Sequence, residues 1–196
     1  MKTMKKTVSS IFLALLFGYS ATATTPIDRE KKEVNVSQSK VTWKGYKVTG
    51  AHDGTMELKS GHLVMDGKKL VGGEFVVDMT SLTVTDLKAG DGKEKLEGHL
   101  KSDDFFGVEL HAESKLVFTS VAPFNKNSYT VTGDLTIKGI TKPVTLVVSM
   151  FEGKATATVK IDRAKYDVKY GSGSFFDDLG DKAIYDEFDL VVDLVL

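Results

Sequence analysis

Apolar and polar residues alternate along most of this chain with the period of two that is typical of β-strands. The stretch 129–137 shows the pattern. One parity holds Tyr129, Val131, Leu135 and Ile137, and the other holds Thr130, Thr132, Asp134 and Thr136. The final segment places Phe188, Leu190, Val192, Leu194 and Leu196 on one side. Each such strand has one apolar face that must be buried against another element.

About eight segments have this character. They are 34–43, 55–65, 70–79, 113–121, 129–137, 144–151, 155–161 and the C-terminal segment to residue 196. The pair 144–151 and 155–161 flanks Glu152-Gly153, which predicts a hairpin with a short turn. Only Lys93–Phe106 has a helical pattern, with Leu96 and Leu100 four residues apart and Ser102 able to cap a following turn.

The scarcity of helix means that the strands must bury their apolar faces against each other. An antiparallel barrel or a sandwich does this, and full closure also removes exposed sheet edges. The interior of an eight-stranded barrel is either filled by side chains or holds one ligand. The pattern therefore predicts an all-β antiparallel fold with one short helix. It does not decide between an interior filled by side chains and one that holds a ligand.

The N-terminal residues predict export. Lys2, Lys5 and Lys6 precede an apolar run of about a dozen residues, which is shorter than the roughly 20 that a membrane span needs. Ala21-Thr22-Ala23 follows, so we expect a signal peptide over 1–23, cleavage near Ala23 and a periplasmic or secreted protein. Residues 24–33 are polar and predict a flexible lead-in, and residues 34–196 form the barrel domain.

Charge and cysteine content narrow the function classes. After the predicted cleavage, 23 basic and 27 acidic residues remain, and the lysines are scattered among acids. This distribution disfavours a nucleic-acid partner. The chain has no cysteine, so packing alone must stabilise it outside the cytoplasm.

Four motifs together give the chain a recognisable signature. They are GGEFVVDM (72–79), KLEGHLKSDDFF (95–106), VTGDLTIKGITKPV (131–144) and IDRAKYDVKYGSGSFFDDLGDKAI (161–184). Through them the chain resembles the YceI-like family over about Val34 to Leu196. The resemblance implies a lipocalin-like barrel that binds a polyisoprenoid, an isoprenoid quinone or a fatty-acyl lipid, with no obligatory cofactor. It allows for transient contact with a membrane and does not predict the oligomeric state.

Inward parity and this resemblance together select candidate residues for the lining or rim of a lipid pocket. They are Trp43, Phe75, Val77, Leu100, Phe105, Phe106, Phe118, Val131, Leu135, Ile137, Tyr170, Phe175, Phe176, Phe188 and Leu190. Core packing and ligand lining both predict that Trp43, the only tryptophan, points inward.

Two pairs of adjacent phenylalanines have two interpretations. Neighbouring residues of a strand face opposite sides, so Phe105–Phe106 and Phe175–Phe176 suit a plug or rim better than a strand. In one interpretation both pairs close the ends of a filled core. In the other, at least one pair borders the entrance of an apolar cavity.

Polar candidates are few. His52, His99 and Arg163 are possible contacts for a lipid head group, although Arg163 among Tyr166, Asp167 and Tyr170 also suits a structural salt bridge. The four histidines lack the spacing of a metal site, and no metal is expected.

No sequence motif indicates catalysis, since nucleophile elbows, H-E-x-x-H and marked carboxylate pairs are all missing. The favoured hypothesis is an exported carrier that holds an apolar chain. Its alternative is a filled structural or partner-binding β module without a ligand.

Overall fold

The structure is a computed structural model that describes residues 29–196. The predicted signal peptide and residues 24–28 lie outside the described residues. The strands are β1 (Arg29–Glu33), β2 (Lys40–Lys47), β3 (Gly50–Asp66), β4 (Lys69–Val84), β5 (Glu113–Asn125), β6 (Ser128–Ile137), β7 (Ile140–Phe151), β8 (Lys154–Asp162) and β9 (Ile184–Val195). One α-helix, α1 (Lys93–Lys101), lies between β4 and β5.

Eight strands, β2 to β9, close into an antiparallel barrel. Their order around the barrel is β2-β9-β8-β7-β6-β5-β4-β3, and β3 pairs with both β4 and β2. This confirms the predicted all-β fold with one short helix. The hairpin at Glu152-Gly153 is also confirmed, since Phe151 pairs with Lys154 across it.

Strand β1 differs from the predicted lead-in. Residues 29–33 were expected to be flexible, but they form a strand that pairs with residues 62–66 of β3. Strand β2 pairs with residues 50–56 on the same edge of β3. All five side chains of β1 are exposed and charged. Such residues give no period-two signal, yet they suit an unpaired outer edge.

The segment predicted as a strand over 34–43 is interrupted. Residues Val36–Gln38 form a 3-10 turn, and the strand starts at Lys40. The Asn35 amide donates to Gln38 Oε1 at 3.0 Å, and Ser37 Oγ donates to Asn35 Oδ1 at 2.9 Å. These local bonds compete with the sheet ladder, as short polar side chains often do.

The predicted helix also ends early. It runs to Lys101, because Ser102 has an extended backbone with ψ 165°. The Ser102 hydroxyl donates back to His99 O at 2.7 Å, so it does not cap the next turn. Residues 102–106 instead form a tight turn in which Ser102 O accepts from Phe105 N.

Inward aromatic rings lie over glycines of the neighbouring strand. Trp43 pairs with Gly54, and Phe75 pairs with Gly61. A Cβ at Gly54 would lie 2.6 Å from the indole of Trp43. The missing side chains let the rings lie flat against the wall of the barrel.

The two ends of the barrel are filled. The hairpin end carries the turns β3–β4, β5–β6 and β7–β8, and its buried side chains include Val34, Met65, Leu70 and Val131. The cap end carries α1 and residues 163–183, and its buried side chains include Val84, Val108, Tyr166 and Val168. The middle of the barrel lies between these two packed layers.

Candidate functional site: an apolar lumen

A cavity of about 170 Å³ occupies the middle of the barrel. Its lining is almost wholly apolar. Among the predicted residues, those that line it are Trp43, Phe75, Val77, Leu100, Phe105, Phe106, Phe118, Leu135, Ile137, Phe188 and Leu190. The inward parity set of β6 and β9 thus faces the interior, as the alternation predicts.

Small residues on β8 help to keep this space open. Its inward positions are Ala155, Ala157 and Val159, and all three line the cavity. An alanine fills far less of the lumen than the leucines and phenylalanines of the other strands. These residues were not among the predicted lining, although they share one parity and alternate with the exposed Thr156, Thr158 and Lys160.

Other lining residues were also missed. They are Val41, Met56, Leu58, Leu63, Met79, Leu82, Ser114, Lys115, Leu116, Val144, Leu146, Val148, Thr156 and Ile184, with Gly45, Tyr46 and Tyr185 near the cap end. Val192 and Leu194, which the alternation predicts to face inward, line it as well. Most of them occupy inward positions of strands already predicted. Strict parity applied to every strand would have found them, because alternate residues of a strand face one side of the sheet.

The first phenylalanine pair lies over the cavity at its cap end. Phe105 is buried and Phe106 is half-buried, and both line the lumen. Their ring centroids are 4.9 Å apart at an interplanar angle of 74°. The tight turn after α1 allows two adjacent side chains to point the same way, which a strand would forbid.

The second pair lies outside the lumen. Phe175 and Phe176 are 43% and 50% exposed and do not line the cavity. The Lys169 amine lies 5.3 Å from the centroid of the Phe175 ring. The two pairs therefore have different surroundings, although their sequences mirror each other.

Four more predicted residues also lie away from the lumen. Val131 is fully buried in the packed hairpin end, and Tyr170 is half-exposed on the cap. His52 Nδ1 lies 2.8 Å from Asp86 Oδ2, outside the cavity. The His99 ring packs between Tyr170 and Phe105, with centroid distances of 4.3 and 5.6 Å. Neither histidine lines the lumen in this arrangement.

Arg163 is the one predicted polar residue that reaches the lumen. It is buried, and its guanidinium donates to the carbonyls of Val168, Ile184 and Tyr185. Its Nη2 lies 3.5 Å from Asp186 Oδ1, and the centre of its guanidinium lies 5.3 Å from the Phe105 ring centroid.

The environment of Arg163 is structural in character. Burial lowers the pKa of Arg163, while the charges of Asp186 and Asp162 act in the opposite direction. Three carbonyls and one carboxylate already partner the guanidinium. Next to it, burial raises the pKa of Tyr166 to about 12, so this phenol stays protonated at neutral pH. Arg163 therefore ties residues 163–185 over the cap end of the barrel.

Within residues 29–196 there is no group of three or more histidine, cysteine or acidic residues that could hold a metal ion. No helix among the described residues is both long and apolar enough to cross a bilayer.

A closed eight-stranded antiparallel barrel around an apolar lumen defines the class of this protein. Within that class, the chain belongs to the YceI-like domain family, whose model matches residues 27–196. This confirms the resemblance seen in the sequence. A UPF0312 protein of Pseudomonas putida strain W619 is 31% identical over 145 residues, which cover 72% of this chain and 71% of that protein.

Solved structures share the fold. Burkholderia cenocepacia BcnA is 24% identical with a TM-score of 0.65, and the match covers 83% of this chain and 99% of that one. A polyisoprenoid binding domain from Saccharophagus degradans is 15% identical with a TM-score of 0.59, covering 83% of this chain and 95% of that domain. At these identities the similarity establishes the architecture alone.

Proposed function

We propose that this protein is exported and binds an apolar chain in the lumen of its barrel, without covalent chemistry. The observation that carries the proposal is the cavity itself. Both ends of the barrel are packed, yet side chains leave a cavity of about 170 Å³ between them, lined by aliphatic and aromatic groups. A ligand that buries its methylenes there gains about 0.8 kcal/mol for each in transfer terms.

The chemistry of the lumen favours a lipid tail. Arg163 and Lys115 are the charged residues of the lining, and both already have partners. Asp186 and three carbonyls partner Arg163, and Glu74 partners Lys115. An isoprenoid or fatty-acyl chain needs no polar partner, whereas a buried polar group without one costs free energy. The architecture shared with a polyisoprenoid binding domain supports the same class of ligand.

The volume favours a chain of moderate length. One water needs about 10–15 Å³ of such space, so the cavity offers roughly a dozen adjoining water-sized positions. A long polyisoprenoid would leave part of its tail outside or displace wall side chains. Affinity should therefore rise with chain length and level off once the lumen is full.

Export is supported by the sequence of residues 1–23, which combines three lysines, a short apolar run and a small-residue cleavage site. A lipid carrier outside the cytoplasm must shield its cargo from water, and a closed barrel suits that task. A filled module that binds a protein partner is the competing account, and the experiment below separates the two.

The test is to extract lipid from protein purified without detergent and to identify it by mass spectrometry. Ala157→Phe should fill the lumen and lower lipid recovery about tenfold or more, since each 1.4 kcal/mol of binding free energy is a factor of ten. Ala157 lines the cavity and is half-buried.

Thr158→Phe is the matched control, because Thr158 is the next residue of β8 and faces solvent. It should retain the lipid of the wild type. Thermal melts would show that both variants fold. A lipid-free wild type, or equal recovery from both variants, would favour the filled module.

A further inference from the structure

The pairing between β2 and β9 is broken at one point. It is regular from Lys40–Asp193 to Gly45–Phe188 and resumes at Lys47–Ile184. Three residues, 185–187, thus face the single residue Tyr46. A bulge of this kind interrupts the ladder hydrogen bonds and bends the strand that carries the extra residues.

The broken section borders two spaces. Tyr46, Ile184 and Tyr185 line the lumen, and the same three residues line an open cleft of about 620 Å³ on the outer surface. The lumen and the cleft therefore meet at these three residues. The two ends of the barrel, in contrast, are closed by packed layers of buried residues.

Buried Arg163 anchors this part of the wall through the carbonyls of Ile184 and Tyr185. The other side-chain contacts that hold it are polar and partly exposed. The Tyr46 hydroxyl donates to Asp189 Oδ2 at 2.6 Å, and Ser174 Oγ donates to Asp186 Oδ2 at 2.6 Å. A Cβ at Gly173 would meet no atom within 4 Å, so the loop leaves open space beside this residue. Such contacts open more readily than a buried apolar layer.

The charged groups around the cleft already partner one another. Lys160 lies 3.6 Å from Glu187 and 3.4 Å from Asp189, and Asp186 faces Arg163. The hydrogen bond from Tyr46 is the largest of the effects that keep the pKa of Asp189 below its usual value, against burial. Apart from these paired charges, the groups in the cleft that could hydrogen-bond to a ligand are hydroxyl groups and backbone carbonyls.

The geometry points to a lateral entrance between β2 and β9, through which the apolar tail enters the lumen while an uncharged, hydrogen-bonding head group stays in the outer cleft. This inference rests on the proposed function. The loop 171–176 would then border the entrance. Gly173 and Ser174 line the cleft, and the exposed Phe175 and Phe176 follow them directly in sequence.

A cross-strand disulfide tests the entrance. Lys47→Cys/Ile184→Cys joins the two strands directly beside the break, and the chain has no other cysteine. Lys40→Cys/Asp193→Cys is the matched control, because it joins the same strands where their pairing is regular. The probe is a fluorescent polyene alcohol, and stopped-flow mixing with lipid vesicles measures its uptake and release.

The oxidised disulfide beside the break should slow uptake and release about tenfold or more, since a closed entrance acts on both rates. Reduction of the same variant should raise both rates about tenfold or more, and the control variant should have equal rates when oxidised and when reduced. Wild-type rates in the oxidised variant, with normal binding in the control, would overturn the entrance alone. Failure of the wild type to bind the probe would overturn the proposed function, and the entrance with it.

The head group is tested by competition at neutral pH. An alcohol and a carboxylate of equal chain length should differ, with the alcohol displacing the polyene at a concentration several-fold lower. A carboxylate that competes equally well or better would contradict an uncharged head group in the cleft.

Discussion

Glycines that face aromatic rings are the residues on which the open lumen depends most directly. A Cβ at Gly54 would lie 1.9 Å from Thr83 O and 2.6 Å from the Trp43 ring. The flat position of the indole, and hence the space beside it, requires that no side chain occupies residue 54. Gly45, on the same strand as Trp43, has no atom within 4 Å of such a Cβ.

Gly54→Ala is therefore expected to lower the free energy of unfolding by about 1–3 kcal/mol, the usual cost of overpacking. Gly45→Ala should change it by less than about 1 kcal/mol, because the added methyl group meets open space. Urea denaturation followed by circular dichroism measures both. Equal losses in the two variants would show that crowding of residue 54 by Thr83 O and the Trp43 ring is not the cause.

The sequence predicted which way some side chains point, but it did not predict their contacts with distant residues. The inward direction of Trp43 follows from its parity with Val41, so residues of its own strand are enough to predict it. The contact with Gly54 depends on the register between β2 and β3, which no local pattern specifies. The same holds for Arg163, whose ionic partner Asp186 lies 23 positions away in sequence.

The turn after α1 and the loop 171–176 carry the same doubled phenylalanines but have different structural roles. The turn places Phe105 under the cap with 5% exposure, against the ring of Phe106 and near Arg163. The loop leaves Phe175 with 43% exposure. Burial, and not sequence, decides what each ring contributes to folding.

Phe105→Ala is expected to destabilise the protein by about 3–5 kcal/mol, the usual cost of removing a buried phenylalanine. Phe175→Ala, its control, should cost less than about 1 kcal/mol, because nearly half of its ring surface already meets water. Chemical denaturation of the two variants beside the wild type checks this. A strong loss in Phe175→Ala would indicate that the loop packs more tightly than its exposure suggests.

Strand and helix boundaries were harder to predict than the elements themselves. The periodicity of 129–137 and 144–161 predicted β6, β7 and β8 well, because each has a single buried face. The start of β2 was missed, since side-chain hydrogen bonds of Asn35 and Ser37 favour a turn there. The charged β1 has no apolar face and so gave no signal.

The barrel as a whole was predictable, but its lumen was not. Eight amphipathic strands with little helix leave few alternatives to closure, and this argument needs no register. An empty lumen, however, depends on which inward residues meet. Ala155 and Ala157 leave space in the middle, while Val131 and Leu70 fill the hairpin end.

The break between β2 and β9 is a second property of the assembled barrel. It arises because three residues, 185–187, lie opposite the single residue Tyr46 of β2. A sequence shows the two strands but not their relative register, so the bulge and the cleft behind it could not be predicted from the pattern.

The single tryptophan gives the most direct measurement of whether the lumen holds an apolar chain. Trp43 lines the cavity, so a polyene bound there lies within a few ångströms of the indole and should quench its emission by energy transfer. We predict saturable quenching at one polyene per protein in the wild type and in Thr158→Phe, and about tenfold weaker binding in Ala157→Phe. Quenching that is absent from the wild type, or unaffected when the lumen is filled, would contradict the account.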